Sequence, residues 1–228
     1  MVKAVIFDLD DTLISEKEYI KSGFNHIAEI INSRFAIDKK QVFDDLMSIF
    51  EESPQNVFNR LFDKYKIKYL KEDILNLVKE YREHSPNIKF FDDVIPCLME
   101  LKSLEIKVGI ITDGYAITQR KKLKAIKADL YFDEIIVTDE LGREFWKPHP
   151  KSFELMKKKF NVIFEEMVYV GDNVLKDFIS ANKLGIKTVL IKRKDGIYLN
   201  LVKTKAHEYL AKYEINTLHD LTGIINSI

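Results

Sequence analysis

Four short polar signatures stand out by residue type and spacing: Asp8-Leu9-Asp10-Asp11-Thr12, Thr112-Asp113-Gly114, Lys147-Pro148, and Gly171-Asp172 with Asp177 beyond it. Each follows a short apolar run or opens an amphipathic one, and a parallel α/β sheet binds its ligands beyond the carboxyl ends of its strands. The two-residue period of a strand puts Asp8 and Asp10 on the same side, and Asp172 arrives from a neighbouring strand. Unit charges 4 Å apart repel by about 4 kcal/mol at an effective dielectric near 20, so several carboxylates gathered in one crevice demand a cation. Oxygen ligands of this kind select Mg²⁺ over softer metals. A single Asp-x-Asp is usually turn chemistry only. Four signals, each at a strand exit or a helix entry, are hard to obtain from turn preferences alone.

The elements that must position these residues are legible in the hydrophobic pattern. Short β-branched runs at Ala4 to Phe7, Lys107 to Ile111, Ile135 to Val137, Val168 to Val170 and Thr188 to Ile191 are nearly continuously apolar, as buried strands are. Amphipathic stretches of helix length lie around residues 115 to 127, 149 to 160 and 173 to 184, and this alternation predicts a parallel sheet with helices on both faces, a Rossmann-like α/β core. Tyr213 to Asn216 reads as a last short strand, followed by a helix near Leu218 to Ile225. Between the first two strands the pattern is helix after helix. Ile20, Phe24, Ile27 and Ile31 form one stripe at helical spacing and Ile74, Leu77, Val78 and Tyr81 another. Two further helices, near 39 to 50 and 55 to 65, are separated by Ser53, read as a cap, and Pro54, read as a first helical residue. The chain thus divides into a core of residues 1–14 and 89–228 and a four-helix insertion of residues 15–88, with expected hinges near Ile14 to Glu16 and Ile88 to Phe91.

The chain carries 46% hydrophobic residues and 32% charged ones, with 36 Lys+Arg balancing 36 Asp+Glu. The first figure supplies a core, and the zero net charge removes the bulk attraction that nucleic acids or anionic membranes rely on. No apolar run approaches the length of a membrane span, and the Met1 region lacks the pattern of a secretory signal. Cys97 is the only cysteine, which excludes an intrachain disulfide and fits a reducing cytoplasm.

With its four signatures in this order, the sequence resembles the haloacid dehalogenase-like hydrolase superfamily, and the helical insertion sits where that family places a C1-type cap. Thr112-Asp113-Gly114 with Gln119 and Lys122-Leu123 is similar to the branch containing N-acylneuraminate-9-phosphatase and pyrimidine 5'-nucleotidases, although that branch usually has Asn where Asp113 stands. The resemblance implies a Mg²⁺-dependent phosphatase of a small phosphate monoester, a sugar phosphate or nucleoside monophosphate, acting through an aspartyl-phosphate. Asp8 is then the nucleophile, ionised at pH 7 without an activating base. Asp10 is the general acid and afterwards the base that activates water. Thr112, Asp113 and Lys147 bind the phosphoryl group, Asp8, Asp172 and the main-chain carbonyl of Asp10 ligate the metal, and Asp177 supports Lys147. The implied partner is a small phosphorylated metabolite, met by a cytoplasmic monomer or homodimer.

Other readings compete. A phosphomutase uses the same residues, and a phosphate-binding or regulatory protein on an inactive core would have lost one of them. A receiver-type phosphoacceptor domain could use Asp10-Asp11, Asp113, Thr138 and Lys147-Pro148, but too few residues separate Thr138 from Lys147 for the helix and strand that scheme needs. Dehalogenase activity is disfavoured by the second Asp of the first signature. Asp11 is as readily a first-turn helix residue as a participant, Cys97 belongs to the apolar stripe of Val94, Leu98 and Leu101, and the five histidines show no ligand spacing. Lys121-Lys122 and Lys157-Lys158-Lys159 read as solvated helix faces. Gln55, Asn56 and Arg60 are candidate specificity residues.

Overall fold

The computed structural model of the chain describes residues 1–194, 196 and 206–228. They form two compact units, one of Met1–Glu16 with Ile88–Ile228 and one of Lys17–Asn87.

The first unit is built on six parallel strands: β1 (Ala4–Phe7), β2 (Lys107–Thr112), β3 (Glu134–Val137), β4 (Met167–Gly171), β5 (Lys187–Ile191) and β6 (Tyr213–Ile215), in the order β3-β2-β1-β4-β5-β6. The apolar runs are continuous because the strands are covered on both sides. In β1 all four residues are fully buried, Val5 and Phe7 into one apolar cluster and Ala4 and Ile6 into the other, the alternation that a pleated strand requires. Fully burying side chains of this kind contributes about 1.5–3 kcal/mol each. Pairing sets Phe7, the last residue of β1, level with Ile110 of β2 and with Val170 of β4, and β4 runs one residue and β2 two residues beyond that level. The expected α/β class and the parallel sheet are therefore what the chain adopts.

Helices α5 (Val94–Ser103), α6 (Ala116–Ala125), α7 (Lys151–Phe160), α8 (Phe178–Lys183) and α9 (Leu221–Ser227) belong to this unit, and α1 (Glu16–Phe35), α2 (Lys39–Glu52), α3 (Val57–Lys64) and α4 (Lys71–Glu83) make up the other. Two boundaries differ from the sequence reading. Helix α8 starts at Phe178 rather than near residue 173, because the Asp177 carboxylate accepts the Asn173 N–H and the Asn173 side chain accepts that of Leu175, which holds the stretch as a turn. Pro54 is not the first residue of a helix. The Ser53 hydroxyl accepts the Gln55 N–H in a local turn, Asn56 takes a left-handed φ of 52°, and α3 begins only at Val57.

The helical unit has its own core, in which the Ile20, Phe24, Ile27, Ile31 stripe meets Val42 and Leu46 of α2, Leu61 and Phe62 of α3, and Leu77 of α4. No helix among the described residues is long and apolar enough to cross a membrane.

Candidate active site

In this strand order the chain moves from β1 outward to β2 and β3, then returns to place β4 on the other side of β1. Connections diverge at β1 and β4, and the crevice beyond their carboxyl ends is the position at which such sheets bind ligands. Asp8 leaves β1 there, with its N–H donated to the Val170 carbonyl at 2.8 Å, and Asp172 leaves β4. Carboxylate oxygens of Asp8, Asp172 and Asp177 all lie within 4.8 Å of one another. Asp177 comes this close because β4 ends in glycine: a Cβ on Gly171 would stand 2.5 Å from Asp177 Oδ2.

Lys147, whose side chain is fully buried, enters this cluster from the loop before α7. Its Nζ is 2.8 Å from Asp8 Oδ1, 2.8 Å from Asp177 Oδ1 and 2.8 Å from the Tyr169 hydroxyl. Burial disfavours its charge, yet Asp177 and Asp8 hold its proton well above the usual lysine range. Burial pushes Asp8 up to about 6, with Lys147 opposing. Asp172 is raised well above the usual carboxylate range by burial and by the charges of Asp177 and Asp8. Protein cations therefore balance this acidic crevice only in part.

The donor set fits a hard divalent cation. Asp172 Oδ2 is buried and has no hydrogen-bond partner among the described residues, whereas both Asp177 oxygens already accept, Oδ1 from Lys147 and Oδ2 from the Asn173 N–H. A buried carboxylate oxygen without a donor is costly unless a cation meets it, and the ligand type suits Mg²⁺.

Thr112 ends β2, and its Oγ1 accepts a hydrogen bond of 2.6 Å from Gln119 Nε2. Asp113 is held below the usual range, against its burial, by Lys147 and Lys176. Its Oδ1 accepts from the Thr138 hydroxyl at 2.6 Å and the Lys147 N–H at 3.1 Å, and Oδ2 lies 3.2 Å from Lys176 Nζ. The Asp113 side chain thus braces the loop that carries Lys147. Asp10 turns its carboxylate to helix α6, Oδ1 to Lys122 Nζ at 2.7 Å and Oδ2 to Gln119 Nε2 at 3.0 Å. Its main-chain carbonyl is then what it has to offer a metal.

Several of these partners were not legible in advance. Lys122 is not on a solvated face: it is 3% exposed and ion-paired to Asp10. Tyr169 is hidden inside an apolar run, and Lys176 inside a stretch read as helix. Asp11 is not in a first helical turn; with φ of 48° it accepts the Glu16 N–H at the start of α1. Arg193 grips Asp93 through two nitrogens, at 2.6 and 3.0 Å, and donates to the Thr12 carbonyl at 2.8 Å, while Asp93 also accepts the Leu218 N–H. This network ties the end of the first signature to the start of α5. Cys97 is packed, and burial pushes its thiol up to about 12.

Comparison with known proteins bears on this geometry. The family described as haloacid dehalogenase-like hydrolase matches residues 5–191. The chain is 31% identical to glyceraldehyde 3-phosphate phosphatase from Methanocaldococcus jannaschii over 100% of its own length and 99% of that protein. It is 27% identical to pyrophosphatase PpaX from Bacillus mycoides, over 100% of this chain and 98% of that one. Among solved structures, an HAD phosphatase from Thermococcus onnurineus covers 98% of each chain with a TM-score of 0.62 at 27% identity.

Proposed function

The chain belongs to the haloacid dehalogenase-like hydrolase family, and from that premise we propose that it is a Mg²⁺-dependent phosphatase of small phosphate esters, with Asp8 as the phosphoryl acceptor. The observation that carries the reading is Lys147 Nζ at 2.8 Å from an Asp8 carboxylate buried at the sheet's switch point beside Asp172. In the first step an Asp8 oxygen attacks phosphorus, the bond from phosphorus to the ester oxygen breaks, and Asp10 gives that oxygen a proton. In the second, Asp10 takes a proton from water, whose oxygen attacks the aspartyl-phosphate, releasing phosphate and restoring Asp8. Lys147 offsets charge on Asp8 and on the transferred group, and the Thr112 hydroxyl and the Asp113 N–H donate to phosphoryl oxygens. Asp177 keeps Lys147 charged and aimed. Asp8, Asp172 and the Asp10 carbonyl would hold Mg²⁺, which supplies counter-charge to the phosphoryl group when bound.

For the substrate, the similarity to a glyceraldehyde 3-phosphate phosphatase puts a triose phosphate first. Sugar phosphates, nucleoside monophosphates and N-acylneuraminate 9-phosphate follow from the branch suggested by Thr112, Gln119 and Lys122, and pyrophosphate from the similarity to PpaX. The helical insertion, residues 15–88, is assigned the selection of the leaving group. A reducing cytoplasm suits the lone Cys97, and a monomer or homodimer suffices, since one chain supplies every residue named here.

The test is phosphate release from this panel with Mg²⁺, alongside Asp8→Asn. Asp8-dependent release supports the reading. Isomerised ester without release would make the protein a phosphomutase, and phosphate binding without turnover would make it a binding protein.

A further inference from the structure

The mechanism above uses Asp10 as acid and base but leaves open what aims its carboxylate, which sits on a loop beyond a strand end. Gln119 and Lys122 lie three residues apart on α6, so their side chains share one face of the helix. Both are buried, at 1% and 3% exposure, and between them they engage both Asp10 oxygens. The Gln119 amide reaches two site residues at once, Asp10 Oδ2 at 3.0 Å and Thr112 Oγ1 at 2.6 Å.

Chemistry fixes which end of that amide is which. With Asp10 ionised, the form in which it takes water's proton, a flipped Gln119 would set its carbonyl oxygen against a carboxylate, so the NH₂ faces Asp10, and one of its hydrogens then goes to Thr112. A Thr112 hydroxyl that accepts from Gln119 has its own hydrogen free to donate elsewhere, the polarity a phosphoryl-binding hydroxyl needs. The helix carrying this pair is anchored. The Ala116 N–H, in its first turn, donates at 2.9 Å to Asp139, next to the Thr138 that holds Asp113. Gly114, with φ of 128°, brings the loop so close that a Cβ there would stand 3.3 Å from Gln119 Cδ.

We propose that Gln119 and Lys122 are positioning residues which lock the Asp10 carboxylate and the Thr112 hydroxyl in register, so that a single helix face aims both the proton donor and the phosphoryl grip. This rests on the reading of Asp8 and Asp10 given above. Supporting shells of this kind hold a reacting group to its productive geometry, and general acid catalysis is worth about 10²–10⁴-fold.

The experiment uses the full chain with Mg²⁺, an alkyl ester (glycerol phosphate) and an activated aryl ester (p-nitrophenyl phosphate), comparing wild type with Lys122→Met, Lys122→Arg and Gln119→Ala. A nitrophenolate leaving group needs no proton, whereas hydrolysis of the aspartyl-phosphate still needs Asp10 as base. In Lys122→Met we expect kcat on glycerol phosphate to fall about 100-fold with KM nearly constant. On the aryl ester the first turnover should stay within about threefold of wild type and be followed by a slow steady phase, a burst of one nitrophenolate per site. Lys122→Arg, which keeps a cationic donor, should recover most of the loss, and Gln119→Ala should in addition slow the first turnover by weakening the Thr112 grip. Equal losses in the first turnover of both esters, a burst amplitude that falls with the rate, or no loss at all would overturn the inference. If Lys122→Met fails to fold, Gln119→Ala carries the test: a first-turnover loss larger on glycerol phosphate than on the aryl ester supports the inference, and an equal loss or none overturns it. Absence of Asp8-dependent hydrolysis in the wild type would instead remove the functional reading, before any α6 variant is compared.

Discussion

The crowded carboxylates make a quantitative prediction about stability that needs no substrate. In the metal-free protein burial raises Asp8 to about 6, against roughly 3.9 for an aspartate in an unfolded chain, a gap worth roughly 3 kcal/mol at about 1.4 kcal/mol per pH unit. The folded protein holds this proton more tightly than the unfolded chain does. The contribution is therefore complete below about pH 4 and is lost as pH rises through about 6, after which it is constant. Asp172, raised by burial and by the charges of Asp177 and Asp8, acts in the same direction. Asp8→Asn removes both the titrating group and its charge beside Asp172. The variant should match metal-free wild type near pH 4 and exceed it by about 3 kcal/mol at pH 7.5, which for a chain of this size is about 6–12 °C in Tm. Mg²⁺ must compete with these protons, so it should raise the wild-type Tm far more at pH 7.5 than at pH 5 and leave Asp8→Asn little changed. Thermal melts in EDTA and in excess Mg²⁺ across this range measure all three quantities. Parallel pH profiles for the two proteins in EDTA, or a Mg²⁺ shift independent of pH, would refute the account of the crevice as charge-starved.

Four further outcomes are expected. Phosphate release should vanish in excess EDTA and return with Mg²⁺ or Mn²⁺, because Asp172 Oδ2 has no donor among the described residues; full activity in EDTA would discard the metal. Asp10→Asn should cost alkyl phosphates at least about 10²-fold in the first turnover and aryl phosphates much less, as loss of a general acid does; rapid-quench rates showing equal losses would deny Asp10 that role. Arg193→Met should cost about 3–5 kcal/mol in urea unfolding, since Asp93 would stay buried without its cation; a change under about 1 kcal/mol would contradict this. Replacing residues 17–86 by a short Gly/Ser linker should leave hydrolysis of acetyl phosphate and abolish discrimination among sugar and nucleotide monophosphates; a folded deletion with preserved selectivity would move attention to the loop from Asp139 to Trp146.

What could and could not be read from the sequence follows from where each interaction is encoded. The sheet was legible because a strand covered on both faces must be apolar at every position, and Ala4–Phe7 and Met167–Gly171 are. The clustering of the candidate residues was legible because a strand exit is a fixed place in such a sheet, so Asp8, Thr112 and Asp172 announce their location. Their supports are set by contacts between distant segments. Lys122 is flanked by Arg120, Lys121 and Lys124, and only Asp10, far away in the chain, gives that one lysine a reason to be buried. A signal was nevertheless present. Residues 119, 122, 123 and 126 repeat at the spacing of an inward helix face, and the buried residues there are Gln119, Lys122, Leu123 and Ile126. Two polar residues on an inward stripe require buried partners. In a chain whose other polar signatures already converge on one sheet edge, those partners had to come from that edge. Tyr169 obeys the same logic in a strand: its ring fills the apolar run while its hydroxyl meets Lys147 and Asp177, so a position that reads as core is half site.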